Sequence, residues 1–269
     1  MNPKLPNFII AGVMKGGTTA AAINLDFHPD IFMVNATSKM EDIDYYDLDI
    51  SDCKGGLPDP HKELDFFNQK DNYNKGIDFY KHFFSSDKFI RGESSPNYFC
   101  LHEYEGTLQR MAHHIPDAKV LIILRDPIQR AFSHWNMIQY FKMKWGTRFH
   151  DKSFYDCVNM KHHNQILKRS TYFENLALFK LLFKENLYIA LSENIIINPV
   201  NEYNKIYEFL GVSPINQDPG YGIHFVGKYT NTNKVDEKSK EYLLKLFKPD
   251  VDKLKLGFPE IDFSVWDNY

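Results

Sequence analysis

Hydrophobic positions along this chain follow two rhythms. Three short unbroken apolar runs, at 8–11 (FIIA), 120–124 (VLIIL) and 187–191 (LYIAL), read as strands buried on both faces, as in a parallel sheet. Elsewhere apolar residues recur at helical spacing. A helix is predicted over 18–27, stopped by His28-Pro29. A second runs from Pro127 to about Phe141, with Asp126 as N-cap and Pro127 in the first turn. A third covers 173–184 through Leu176, Phe179, Leu182 and Phe183. A fourth, at 199–210, ends at Gly211. A last helix at 238–247 is stopped by Pro249. Strands alternating with helices predict an α/β three-layer sandwich around a central, mostly parallel sheet, in one domain spanning 1–269.

Composition narrows the function. The chain has 269 residues, 43% of them hydrophobic, and a formal net charge of −3. That charge gives no general attraction to nucleic acid. No apolar run approaches the roughly 18–20 residues that span a bilayer. The run after Phe8 is too short, and too soon broken by Lys15, for a signal peptide. Cys53, Cys100 and Cys157 are scattered and odd in number, which suggests neither a disulfide framework nor a zinc site. His28, His113, His114, His162 and His163 lack metal-like spacing with other ligands. A cytoplasmic protein without a metal or membrane partner is expected. One segment breaks the pattern: 39–62 lacks periodicity and carries Glu41, Asp42, Asp44, Asp47, Asp49, Asp52 and Asp59. It reads as an acidic insertion loop.

The first strand runs into Gly12-Val13-Met14-Lys15-Gly16-Gly17-Thr18-Thr19. Backbone N–H groups of such a turn, with the positive end of the following helix, cradle an anion. Lys15 adds a full charge and the threonines add hydroxyls. The alternative is a plain strand-to-helix turn. In the ATP-binding P-loop, lysine follows the second glycine. Gly12 and Gly17 have the right separation, but Thr18 takes the lysine's place and Lys15 lies inside the loop. A kinase also wants an Asp after an apolar strand to hold magnesium, and Arg125 follows Leu124. A P-loop nucleotide kinase is the less favoured reading.

The loop resembles the 5′-phosphosulfate loop of sulfotransferases that use 3′-phosphoadenosine 5′-phosphosulfate (PAPS). Residues 120–135, VLIILRDPIQRAFSHW, resemble the same family's 3′-phosphate motif. The resemblance is nearest to the heparan sulfate N- and 3-O-sulfotransferase branch. Residues 62–84 look like that branch's Glu-x-x-Phe-Phe segment and following helix. ESSPNY at 93–98 resembles its substrate-contacting turn. Tyr172 matches its Gly-x-Tyr, and Gly227-Lys228-Tyr229 its late loop over the nucleotide.

What the resemblance implies is specific. Lys15, Gly16, Gly17, Thr18, Thr19, Arg125, Ser133, Lys228 and Tyr229 would bind PAPS and its product 3′,5′-ADP, without a metal. Glu63 would be the catalytic base and Lys15 would stabilise the leaving nucleotide. Asp65, Ser94 and Asn97 would face the acceptor. Phe66, Phe67, Tyr73 and Phe79 would pack under the cleft, and Trp135 either packs in the core or stacks on adenine. The chain also departs from the branch. Val226 stands where a lysine usually precedes the late-loop glycine. Asp65 or Met137 stands where some members carry a histidine, and 211–226 lacks the animal enzymes' bridging cysteines. Ser94 replaces a lysine that grips sulfated glycan. With the acidic insertion, these departures predict a small neutral or cationic acceptor, such as an amine or guanidinium metabolite. A heparan-like saccharide is the alternative.

Overall fold

The computed structural model describes residues 4–34, 63–145, 152–160, 165–222 and 234–269, with the side chains of 140–145 outside the description. Strands β1 (Phe8–Gly12), β2 (Ile31–Met33), β3 (Ile90–Ser94), β4 (Lys119–Leu124) and β5 (Leu187–Leu191) form one sheet in the order β2-β3-β1-β4-β5. Every pairing is parallel. The chain order reverses direction around β1, so the crevice beyond the carboxyl ends of β1, β3 and β4 is where such a sheet binds ligands.

Alternation along the strands supplies both faces with core. Ile9, Ala11, Val120, Ile122 and Leu124 point one way, against Leu108 and Met111 of α4 (Thr107–His114), Leu176 and Phe179 of α8 (Phe173–Phe183), and Val251 and Leu254 of α11 (Glu237–Gly257). Phe8, Ile10, Leu121 and Ile123 point the other way, against Ala21, Ala22 and Leu25 of α1 (Thr18–Asp26) and Tyr203, Ile206 and Leu210 of α10 (Pro199–Leu210). The predicted three-layer sandwich is therefore present. Beyond β4, α5 (Pro127–Trp145) joins α6 (Phe154–Val158) and α7 (Gln165–Lys168) in a third cluster, where Trp135 packs on Phe132 and Phe154. Short helices α2 (Lys70–Tyr73), α3 (Ile77–Lys81) and α9 (Ser192–Ile197) complete the description.

Two sequence expectations need correction. Pro249 does not stop the last helix, which continues through it to Gly257. Proline inside a helix costs about 3 kcal/mol, but Leu243, Phe247, Val251 and Leu254 keep one buried stripe across it. Asp250 also accepts the backbone N–H groups of Tyr172 (2.7 Å) and Phe173 (3.2 Å), tying that turn to the start of α8. Secondly, the sheet has two strands that the sequence reading did not name: β2 is only three residues long, IFM. β3 reads IRGES, and Gly92 is required there because a Cβ would lie 2.7 Å from the Phe8 ring and 2.8 Å from the Met33 sulfur.

Candidate active site

The anion-cradle loop closes tightly on the sheet. The Val13 N–H donates to the Ile123 carbonyl at 3.0 Å and the Gly16 N–H to the Val13 carbonyl at 2.8 Å. A Cβ on Gly16 would lie 2.5 Å from the Ile123 carbonyl oxygen. Gly17, at φ 93°, is the N-cap of α1 and no side chain caps that helix. Its first-turn N–H groups, which have no intrahelical partners, are thus presented at the loop with the positive end of the helix dipole. Lys15 is itself left-handed, at φ 72°. These features fit a bound phosphate or sulfate ester.

The second motif meets the first directly. Arg125 leaves β4 and donates from Nη1 to the Lys15 carbonyl at 3.2 Å. Its own carbonyl accepts the Tyr172 hydroxyl at 2.8 Å. Asp126 caps α5 as predicted, its Oδ1 accepting the N–H groups of Ile128 (2.8 Å) and Gln129 (3.0 Å). Ser133 lies two turns into α5 and is half-buried. Arg130 is fully buried and reaches the Ser170 hydroxyl at 2.7 Å, the Ile166 carbonyl at 2.6 Å and the Met14 carbonyl at 3.4 Å. These acceptors are neutral, so a desolvated positive charge stands behind the loop. Burial lowers the Arg130 pKa to about 10, which leaves it charged at neutral pH. His134 is buried beside it. Burial first, then the charges of Arg130, Arg169 and Lys15, hold its pKa well below the ordinary imidazole value. It is neutral, and its Nδ1 accepts from Arg130 at 3.4 Å, which leaves the ring proton on Nε2.

Carboxylates gather on the other side of the crevice. Asn97, in the 3-10 turn Pro96–Phe99 after β3, places its amide nitrogen 3.4 Å from Glu63 Oε2 and 3.3 and 3.2 Å from the two Asp65 oxygens. Glu63 and Asp65 are half-buried, and Asp65 adopts φ 45°. The segment carrying them is pinned from beneath. The Asp65 N–H donates to the Ser95 hydroxyl at 3.0 Å, and the N–H groups of Phe66 (3.0 Å) and Phe67 (3.4 Å) to the Tyr98 hydroxyl. Those hydroxyls in turn donate to Glu93, Ser95 at 2.7 Å and Tyr98 at 2.7 Å, and the Tyr80 hydroxyl makes a short bond to the same carboxylate. Glu93 is fully buried, and burial raises its pKa to about 7 despite these donors. Phe66 and Phe67 are buried as expected.

Arg169 lies between the two sides. It forks onto Glu103, with Nε to Oε1 at 2.8 Å and a short Nη2 to Oε2 contact. Its Nη1 donates to the Asn97 side-chain oxygen at 3.1 Å and lies 3.0 Å from the Met14 sulfur. Burial alone would raise the Glu103 carboxyl; hydrogen bonds from Arg169 and His102 overcome it and hold the pKa at about 2.

The structure thus joins the loop of Lys15, Gly16, Gly17, Thr18 and Thr19 to Arg125 and gathers Glu63 and Asp65 on the Asn97 amide, while Ser133 stands half-buried on α5. Ser94 ends β3 and is buried, 4% exposed. Lys228, Tyr229, Val226 and the acidic segment 39–62 lie outside the described residues. Arg130, His134, Arg169, Glu93 and Glu103 were missed as site residues; Arg130 and His134 lie within the motif at 120–135 and Glu93 opens ESSPNY at 93–98, whereas Arg169 and Glu103 carried no signal. Among the described residues no cluster of three or more His, Cys, Asp or Glu could hold a metal ion. None of their helices is long and apolar enough to cross a membrane. Cys100 and Cys157 are both buried.

Several known proteins are similar to this chain. The bifunctional heparan sulfate N-deacetylase/N-sulfotransferase 3 of Mus musculus is 28% identical over 225 residues, covering 78% of this chain and 23% of that protein. Heparan sulfate glucosamine 3-O-sulfotransferase 5 of Homo sapiens is 28% identical over 220 residues, covering 78% of this chain and 55% of that protein. The chain therefore spans from about a quarter to about half of these relatives' length. A sulfotransferase from Alicyclobacillus acidocaldarius shares the fold, with a TM-score of 0.71 at 24% identity over 98% of this chain and 99% of that one. The family model described as "Sulfotransferase family" matches residues 6–216, most of the chain, and this protein belongs to that family.

Proposed function

We propose that this protein transfers a sulfonate from PAPS to a hydroxyl or amine of an acceptor, releasing 3′,5′-ADP. The observation that carries this reading is the link between the two motifs. Arg125 bonds to the Lys15 carbonyl at the mouth of an uncapped helix, with the Glu63 carboxylate across the crevice on Asn97. PAPS supplies an activated sulfonate on a phosphate leaving group. The loop N–H groups and Lys15 hold that phosphate and stabilise the charge that grows on it. Arg125 and Ser133 read the 3′-phosphate through charge-assisted hydrogen bonds. Glu63 takes the acceptor's proton as the new bond forms. By the family resemblance, Lys228 and Tyr229 would also bind the nucleotide.

For the acceptor, a small neutral or cationic molecule is the reading the residues support. Two carboxylates, Glu63 and Asp65, share one amide at the mouth, and Ser94 offers no charge to an anionic chain. A saccharide acceptor is the second reading, favoured by the relatives named for heparan sulfate. Labelled PAPS presented to amine and guanidinium metabolites and, in parallel, to heparan-type oligosaccharides separates them. Transfer to the small cations, weakening with salt, supports the first; transfer to the oligosaccharides alone overturns it.

A further inference from the structure

We infer that Arg169 is a positioning residue that registers the acceptor-side carboxylates against the donor loop, acting through Asn97. This rests on the sulfotransferase reading above. One guanidinium touches both sides of the crevice, bonding the Asn97 side-chain oxygen at 3.1 Å and contacting the Met14 sulfur at 3.0 Å. An amide side chain can turn over, and it has two faces that differ chemically. With its oxygen committed to Arg169, Asn97 must present its nitrogen, a donor, toward Glu63 and Asp65. Reversed, the amide would set an oxygen against two carboxylates.

The guanidinium is fixed in turn. Glu103 takes its fork from the far side, and only 9% of the Arg169 side chain is exposed. A planar fork can hold one carboxylate with two nitrogens and still aim a third N–H elsewhere; a lysine ammonium lacks that geometry. The chain of contacts Glu103, Arg169, Asn97, Glu63 therefore has one orientation at each joint. Its purpose is geometric: a transfer between donor and acceptor groups loses on the order of 10²-fold in rate for a misplacement of about 1 Å.

The test is a double-mutant cycle on sulfonate transfer, read with two acceptors. One is water, scored as inorganic sulfate released from labelled PAPS; the other is whichever acceptor the screen above identifies. Asn97→Ala, Arg169→Gln and the double variant are compared, with 3′,5′-ADP affinity measured by calorimetry. Each single variant should lower kcat by about tenfold or more, and the double variant by little more than the worse single one. Affinity for 3′,5′-ADP should stay within about threefold throughout. Arg169→Lys should behave like Arg169→Gln in kcat although it keeps the charge. Asn97→Ala leaves the Arg169–Glu103 pair in place, so it reports even if Arg169→Gln folds poorly. An unchanged kcat in Asn97→Ala, or multiplying losses in the double variant, overturns the inference. Absence of 3′,5′-ADP binding to the unmodified protein would instead overturn the sulfotransferase reading itself.

Discussion

The two sides of the crevice are built in different ways. The donor side is two contiguous strand-loop-helix stretches, β1 into α1 and β4 into α5, in which backbone geometry does most of the holding. Its glycines, helix start and cap are local, and bonds from Val13 to Ile123, from Arg125 to Lys15 and from Arg130 to Met14 join the stretches. The acceptor side is assembled from Glu63 to Phe67, Glu93 to Tyr98, Glu103 and Arg169, and side chains do the holding. Each proposed acceptor-side group depends on a partner far along the chain, as Asp65 on Ser95 or Asn97 on Arg169. Backbone cradles tolerate change in distant side chains; side-chain networks do not. Variants on the acceptor side should therefore disturb turnover while sparing nucleotide binding, and variants on the donor side should disturb both.

The largest effect should come from Glu63→Gln. Glutamine keeps the shape but takes no proton at neutral pH, so turnover should fall by on the order of 10²-fold or more. Affinity for 3′,5′-ADP should stay as it was. Normal turnover in this variant would move the base elsewhere, with Asp65 the first place to look. Lys15→Ala should instead lower both turnover and 3′,5′-ADP affinity, which steady-state rates and calorimetry on one preparation would read together. Arg125→Ala comes next. A charge-assisted hydrogen bond contributes about 1.5–3 kcal/mol, so the preference for 3′,5′-ADP over 5′-AMP should shrink roughly tenfold or more.

A smaller effect, on stability, sharpens the contrast from the acceptor side. Glu93 in the folded protein has a pKa of about 7, above its usual 4.5, because it is buried. The folded state binds that proton more tightly than the unfolded chain. Its contribution therefore favours folding below about pH 4.5 and is lost as pH rises through about 7. Glu93→Gln should remove that slope from denaturant midpoints measured between pH 5 and 8. It should also cost about 1–3 kcal/mol, because an amide nitrogen turned toward hydroxyl donors leaves one of them unpaired. An unchanged slope would mean that Glu93 does not hold the proton.

This division also decides what the sequence made legible. The strands at 8–12, 119–124 and 187–191 announce themselves because burial on both faces demands uniform apolar runs. The loop from Gly12 to Thr19 is legible because its chemistry is consecutive in the chain. β3 was not legible. Its Arg91, Gly92 and Glu93 look like a loop until Tyr80, Tyr98 and Ser95 are seen to satisfy the buried carboxylate. Asn97 and Asp65 were found through the family pattern, whereas Arg169 was not. Its meaning depends on Glu103, Asn97 and Met14, which only the fold brings together. The passage of α11 through Pro249 was hidden for a similar reason, since tertiary burial of Val251 and Leu254 outweighs a local rule.

The donor side, as proposed, reads a nucleotide carrying phosphates at both the 3′ and 5′ positions. Calorimetric titration of the unmodified protein with 3′,5′-ADP, 5′-AMP and ATP, each with and without magnesium, tests it most directly. 3′,5′-ADP should bind at least about tenfold more tightly than 5′-AMP, with no need for magnesium. Equal affinities for 3′,5′-ADP and 5′-AMP, or tightest binding to magnesium ATP, would contradict it.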